Sequence, residues 1–360
     1  MNTVVPASPA FLIRGTNEPA PLRMPRLGAG TYKIDAERVE HVVRDALGVG
    51  YRHIDTAQMY RNEAGVGAAI AELNYRPNQI ARALHGMATQ SIGVIVPTVA
   101  LPFFGELAAR LEVALAEHGY RILVCNSQGR AEREREYLDL LVSHRVDGII
   151  SSAHNEDLAD YGTVRMPLVM IDRDLSPTIP NIRCDNARGG VLATEHLLAR
   201  GSRRPLLLTS RTGSRNGREA GYRAALARSG IEPQIVAVVF NTPEPERTQR
   251  IAEELTNRIG HFDAVFATDD LTAAGVVEWA RLAGMRVPED LRVIGFDGTQ
   301  AVRQAMPGLT TIRQPIDQIA RRAVAELLAQ IEAVHDGVEL RERETAPMEL
   351  PVELVVGRTT

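Results

Sequence analysis

The sequence predicts an α/β protein built as two doubly wound parallel-sheet subdomains with a cleft between them, preceded by a short βαβα fragment. From Ser91 onward, apolar runs of four to six residues alternate with longer amphipathic stretches. That alternation marks repeated βαβ units whose strands are buried on both faces. The chain is long enough, at 360 residues with 44% hydrophobic and 24% charged content, for two or three domains with substantial cores. Polar residues also recur just after the apolar runs, at the strand ends where open parallel sheets hold ligands.

Taken in order, residues 1–21 are rich in Pro, Ala, Asn and Thr and lack periodicity, which reads as a poorly ordered lead-in or a short hairpin. A strand-like pattern starts at Leu27. Residues 35–49 carry Val39, Val42, Val43, Ala46 and Leu47 at helical spacing, with Asp35 as N-cap, and 51–54 reads as a second short strand. Beyond these, strands are expected at 92–96, 121–125, 148–151, 168–171, 205–208, 264–267 and 292–296. Helices are expected at 104–117, 131–143, 187–199, 218–229, 249–260, 270–283 and 318–335.

Composition excludes several classes of function. A net charge of -4 argues against bulk attraction to nucleic acid or an anionic membrane, so any DNA contact must sit on a local basic patch. The two cysteines, Cys125 and Cys184, lie far apart without metal-ligand spacing, so neither a disulfide framework nor a metal site is expected. No stretch approaches the roughly 20 apolar residues of a spanning helix, and the N-terminus has no basic segment leading an apolar core. The expected location is cytoplasmic. No Ser/His/Asp relay, Walker loop or GxGxxG after a strand appears, so no cofactor and no enzymatic apparatus is expected in the main part of the chain.

Two segments resemble known families. Met24 to Tyr32 (MPRLGAGTY) followed by Gly50 to Glu63 (GYRHIDTAQMYRNE) resembles the first two βα units of an aldo-keto reductase. In that (β/α)8 family the positions matching Asp55 and Tyr60 belong to a catalytic tetrad, with Tyr as proton donor. A tyrosine of ordinary pKa near 10 needs a cation and a fixed geometry for that task, and the family's Lys and His partners lie on later strands that nothing downstream resembles. Two of eight units leave open strand edges and one-sided helices. Asp55 and Tyr60 are therefore expected to be relics.

Downstream of Glu72, residues 74–84 (NYRPNQIARAL) resemble the hinge helix of LacI/GalR transcription regulators. The segment 74–90 holds two arginines, a histidine and no acid, and Pro77 can open a helix as its first residue. The resemblance implies that two such helices in a dimer enter the minor groove, where an apolar wedge kinks the duplex. Leu84 matches the wedge, and Asn78 and Arg82 are candidates for groove or phosphate contacts. Read from composition alone, the segment is also an ordinary linker helix with a solvated basic face.

From Leu73 to Thr360, about 290 residues, the chain resembles LacI/GalR regulators throughout, which implies a periplasmic-binding-protein-like fold. The resemblance assigns a sugar-like effector to Phe103, Phe104, Ser152, Asp172, Arg173, Arg218, Asp269, Asp297 and Gln314, with Pro102 beside the aromatic pair and Phe240 as a further member. Aromatic faces suit the C–H faces of a sugar, and hydroxyls need paired polar partners. Arg173 and Arg218 would donate, while Asp172, Asp269 and Asp297 would accept. Asp269 stands where the family often has Asn; an ionised carboxylate only accepts, which favours a donor-rich neutral sugar, though the arginines keep a sugar acid open. Asp270 is expected to be a helix N-cap.

The expected organisation is a lead-in at 1–21, a reductase-like fragment at 22–72, a hinge and linker at 73–90, and a sensor at 91–360. Its N-subdomain would hold 91–184 and 316–335, and its C-subdomain 185–313 and 340–360. The leading expectation is a homodimeric regulator in which effector binding controls attachment to a DNA operator. A sugar sensor without DNA binding is the alternative, and an aldo-keto reductase the third.

Overall fold

The computed structural model describes residues 10–13, 22–25, 28–51, 53–72, 88–152, 161, 164–172, 178–239, 242–338 and 346–360. The chain divides into two compact units, Met1–Arg82 and Ala83–Thr360. In the first, β1 (Ala10–Ile13) pairs antiparallel with β2 (Leu22–Pro25), the short hairpin that is one of the two expectations for this segment, extending past residue 21. β3 (Ala29–Gly30) pairs parallel with β4 (Ile54–Asp55), and between them runs α1 (Ala36–Gly48). A single 3-10 turn, Gln58–Tyr60, then leads to α2 (Glu63–Glu72). Asp35 holds the N-cap position of α1 as expected, without a side-chain cap bond. The strand expected at 51–54 forms only at its end. Val39 and Val43 of α1 meet Val66 and Ala69 of α2 in a core of their own, and the buried Asn62 ties the turn together by donating to the carbonyls of Thr31 and Ile34, both at 2.9 Å.

The second unit opens with β5 (Ser91–Val96), α3 (Pro102–Ala116), β6 (Arg121–Asn126), α4 (Ala131–Ser143), β7 (Gly148–Ser151), β8 (Leu168–Ile171) and β9 (Asn181–Cys184). Next come α5 (Asn186–Ala199), β10 (Pro205–Thr209), α6 (Gly217–Arg228), β11 (Gln234–Ala237), α7 (Glu246–Thr256), β12 (Ala264–Ala267) and α8 (Asp270–Leu282). The chain continues through β13 (Arg292–Asp297), α9 (Gln300–Ala305), β14 (Thr310–Arg313), α10 (Ile316–His335), β15 (Met348–Leu350) and β16 (Glu353–Val355).

These strands form two six-stranded sheets, ordered β15-β9-β8-β7-β5-β6 and β11-β10-β12-β13-β14-β16. All pairings are parallel except β14 with β16. Every residue of β7, β8, β10 and β12 is buried, because helices cover both faces of each sheet; that is why these segments are continuous apolar runs rather than alternating ones. One apolar core is continuous from Ile92 and Ile150 in the first lobe, through Ala193 and Leu197, to Phe266 and Phe296 in the second.

The chain crosses between the lobes at β9 to α5, at β14 to α10 and at β15 to β16. α10 packs on β7, β8 and β9 of the first sheet. The third crossing corrects part of the expected placement of 340–360 in the second subdomain: Met348–Leu350 pairs with β9 of the first sheet, whereas from Glu353 the chain belongs to the second lobe, where β16 pairs with β14 and Thr359 bonds to Val293 and Thr310. Arg183 and Glu349, in register on the two paired strands, form an ion pair at 2.7 Å.

Candidate functional site

Between the lobes, the carboxyl ends of both sheets border a cleft of about 800 Å³. Pro102, Phe103, Phe104 and Asp172 line it from the first lobe, and Arg218, Asp269, Asp270 and Asp297 from the second. Proline as the first residue of α3 starts that helix two residues earlier than expected. The turn carries Phe103 and Phe104 edge-to-face, with ring centroids 5.1 Å apart. Both rings also belong to the core and are largely buried, so little of either is exposed to the cleft.

Asp172 follows β8 and Asp297 ends β13, and both adopt left-handed backbone, with φ of 63° and 108°. Aspartate is among the few residues that tolerate this region, and the turn aims each carboxylate off the end of its strand. Asp172 Oδ1 accepts from Asn186 Nδ2 at 2.6 Å. Asp297 Oδ1 accepts from Gln314 Nε2 at 2.7 Å and lies 3.5 Å from Arg218 Nη1.

Arg218 is the hub of the second lobe. Its Nε donates to Asn186 Oδ1 at 2.8 Å, its Nη1 donates to the carbonyl of Thr268, and its guanidinium lies over the Phe296 ring. Burial pushes the Asp297 carboxyl well above its ordinary pKa; Arg218 and the Gln314 amide oppose that, while Asp270 and Asp269 add to it. Asp270 is likewise raised to about 7, mainly by burial, against hydrogen bonds from Thr311 and Gly298 that favour its ionised form.

Asp270 is not the N-cap it was expected to be. Asp269 caps α8, accepting from Thr272 N at 2.8 Å and from Thr272 Oγ1 at 2.6 Å. Asp270, one residue further, turns inward: its carboxylate accepts from Gly298 N at 2.8 Å and from Thr311 Oγ1 at 2.5 Å. It thereby clamps the turns after β12 and β13 together. Asp269 still lines the cleft, with Arg247 Nη2 3.7 Å away.

The cleft thus gathers Phe103, Phe104, Asp172, Arg218, Asp269 and Asp297. Gln314 stands behind them and acts through Asp297. Ser152 is buried at the end of β7 and is not part of the cleft wall. Arg173 and Phe240, with the hinge candidates Asn78, Arg82 and Leu84, lie outside the described residues. In the first unit, the Tyr60 ring packs 5.2 Å from that of Tyr32, and the backbone carbonyl of Asp55 accepts from Thr31.

Sequence reasoning missed Asn186 and Arg247. Asn186 follows β9, whose alternating Asn181-Ile182-Arg183-Cys184 pattern does not read as a buried strand. Recognising that strand would have placed Asn186 at a carboxyl end with the others. Arg247 carries no such signal, because it projects from the first turn of α7 to reach Thr272 Oγ1 at 2.9 Å.

Residues 89–351 match the family of periplasmic binding proteins and the sugar binding domain of the LacI family. Residues 24–95 match the aldo/keto reductase family. A sucrose operon repressor of Pediococcus pentosaceus is 38% identical over 297 residues, covering 82% of this chain and 89% of the repressor. A ribose operon repressor of Halalkalibacterium halodurans is 33% identical over 300 residues, covering 83% of this chain and 88% of that one. Among solved structures, a periplasmic binding protein/LacI transcriptional regulator from Alkaliphilus metalliredigens, complexed with D-xylulofuranose, superposes with a TM-score of 0.66 at 27% identity, over 75% of this chain and 99% of its own. The two-lobed architecture, the length of the match and the level of identity agree: the chain belongs to the LacI/GalR family of transcription regulators.

Proposed function

We propose that the second unit is the sensor of a transcriptional regulator and that its cleft binds a neutral, sugar-like effector whose binding controls attachment to an operator. The observation that carries this reading is the convergence of Asp172, Arg218, Asp269 and Asp297 with Phe103 and Phe104 on one gap. Arg218 is paired with Asp297, Arg247 with Asp269, and Arg183 with Glu349. Arg130, Arg211 and Arg215 also line the cleft, as do Asp172, Glu244 and Asp270, so its six arginines face six acidic residues; a wall without excess cations favours a polyol over a phosphorylated or carboxylated ligand. The furanose in the Alkaliphilus structure and the sucrose and ribose operons named for the relatives support the same ligand class.

In this reading the effector draws the lobes together, and the hinge helices of a dimer lose the spacing that fits the minor groove, so effector and operator affinities are reciprocally linked. β6 is an edge strand with Leu123 and Val124 each 44% exposed, which supports a second copy docking there. Among the described residues no helix is long and apolar enough to cross a membrane, and a regulator of operons acts in the cytoplasm. Asn78, Arg82 and Leu84 would supply the DNA contacts.

A thermal-shift screen of the full chain against pentoses, hexoses and sugar acids tests the effector, because a ligand held only by the folded state raises the melting temperature. Stabilisation by a neutral pentose, hexose or disaccharide is expected; stabilisation by sugar acids alone would overturn the neutral-ligand reading. Because residues 24–95 match the reductase family, a second reading is a sugar sensor that does not bind DNA. Mobility-shift assays at low and moderate salt distinguish the two: sugar binding with no operator retention selects the sensor.

A further inference from the structure

The main chain places Asn186 before any side-chain choice is made. It opens α5 directly after the first crossover between lobes, and α5 passes α6 at very close range. A Cβ on Gly190 would stand 2.3 Å from the carbonyl oxygen of Arg218, and one on Gly221 would stand 2.0 Å from that of Ala187. Only glycine permits backbones so close. The approach delivers the Asn186 amide to the Arg218 guanidinium on one side and to Asp172 on the other.

Both halves of that amide are used. Asn186 Oδ1 accepts from Arg218 Nε at 2.8 Å, and Asn186 Nδ2 donates to Asp172 Oδ1 at 2.6 Å, with the Cys184 carbonyl 3.3 Å away. Oxygen can only accept and NH₂ can only donate, so the two partners fix the orientation of the group. Asp172 leaves β8 in the first lobe, and its N–H is held by Ile182 O at 3.1 Å. Arg218 opens α6 in the second. Among the described residues no bond joins Asp172 to Arg218 directly; Asn186 is their shared partner.

We propose that Asn186 is a positioning residue that couples the Asp172 wall of the cleft to the Arg218 wall, so that a displacement of either polar group is felt by the other lobe. The amide is chemically specific for the place. A carboxylate there would face Asp172 charge to charge and lose the donor, and an apolar side chain would leave both Asp172 and Arg218 without this partner. The effector role of the coupling rests on the sugar-cleft reading above, whereas the coupling itself does not.

The test is a three-residue mutant cycle on the full chain, read as thermal unfolding without ligand. Asp172→Ala and Arg218→Ala are made singly and together, with Asn186 native and with Asn186→Ala. Expected with native Asn186 is non-additivity corresponding to about a fivefold change in the folding equilibrium, lost when Asn186 is alanine. Additivity with native Asn186, or equal coupling in both backgrounds, overturns the proposal.

If Asn186→Ala does not fold, a reversal takes its place. Asp172→Asn with Asn186→Asp exchanges donor and acceptor while the new carboxylate still accepts from Arg218. The double variant is expected to melt closer to the native chain than either single one, an outcome that simple loss of packing would not produce; a double variant as unstable as the summed singles refutes the coupling. The sugar panel keeps the two readings apart. A coupled cycle in a chain that no sugar stabilises refutes only the effector reading, and an additive cycle in a chain that a sugar does stabilise refutes only the coupling.

Discussion

The guanidinium carbon of Arg218 lies over the ring of Phe296, 3.7 Å from its centroid, and Phe296 is wholly buried. The ring is therefore a fixed shelf, and the arginine is oriented before any ligand arrives. Lysine at 218 would keep the charge but lose the guanidinium over the ring and the Nε donor. Arg218→Lys is expected to weaken binding of the stabilising sugar roughly 10- to 100-fold, the value of one or two charge-assisted hydrogen bonds. Isothermal titration measures it, and a lysine variant with native affinity would remove Arg218 from the site.

Phe103 and Phe104 are 8% and 5% exposed, so truncating either to alanine would disturb the core as well as the cleft, at about 3–5 kcal/mol. Phe103→Leu separates the two effects, since an apolar side chain that fills more of the space than alanine leaves a smaller cavity and costs less stability. A several-fold loss of sugar affinity with a smaller change in melting temperature than alanine causes is expected if the ring packs on the ligand. Equal losses from leucine and alanine in melting temperature, with affinity untouched, would make Phe103 a core residue only.

Much of the second unit was legible because strands buried on both faces must be continuous apolar runs: 148–151, 168–171 and 264–267 coincide with β7, β8 and β12. Five strands of this unit were missed, β9, β11, β14, β15 and β16; β9 and β14 carry Asn181, Arg183 and Arg313 among few apolar residues, and all five are short segments whose pairing is decided by neighbours distant in sequence. The site residues that follow recognised strands were found for the same reason that those strands were. Asn186 follows an unrecognised strand and was missed. The cap was expected at Asp270 rather than Asp269 because both follow the same strand, and only the position of Thr311 and Gly298, far along the chain, decides which carboxylate turns inward.

The first unit has its own small core around Val39, Val43, Val66 and Ala69, and its two-stranded parallel pairing is a fraction of the closed barrel that reductase chemistry requires. Excision of residues 1–72 is expected to leave the main melting transition and sugar affinity of the remaining chain unchanged. Full-length protein mixed with NADPH and simple aldehydes is expected to show no consumption of the nucleotide. Measurable carbonyl reduction that disappears with Tyr60→Phe would contradict the reading of Asp55 and Tyr60 as relics.

Glu106, on α3 of the first lobe, accepts from the backbone N–H of Gln300 at 2.7 Å, where α9 of the second lobe begins. This bond spans the lobes, and neither Glu106 nor Gln300 lines the cleft, so it acts on opening of the cleft rather than on its lining. Glu106→Ala is expected to raise the dissociation rate of the bound sugar several-fold while changing the association rate little, consistent with most affinity changes residing in dissociation. Stopped-flow displacement resolves the two rates. A change confined to association would instead place Glu106 in the capture of the ligand.

The carboxylates beneath Arg218 give the fold a pH dependence of definite sign. Asp270 is raised to about 7, chiefly by burial, and buried Asp297 is raised in the same direction. A carboxyl whose folded pKa lies above its unfolded value, about 4, binds its proton more tightly in the native state. Its contribution to stability is therefore full below that unfolded value and is lost as the pH rises through the folded one. Asp270→Asn removes the titration while keeping an acceptor for Gly298 N–H. The melting temperature of the native chain is thus expected to fall relative to that variant between about pH 4 and pH 7, and the two curves to run parallel above. A difference of opposite slope would mean that the Gly298 N–H and the Thr311 hydroxyl outweigh burial and hold Asp270 ionised in the folded protein.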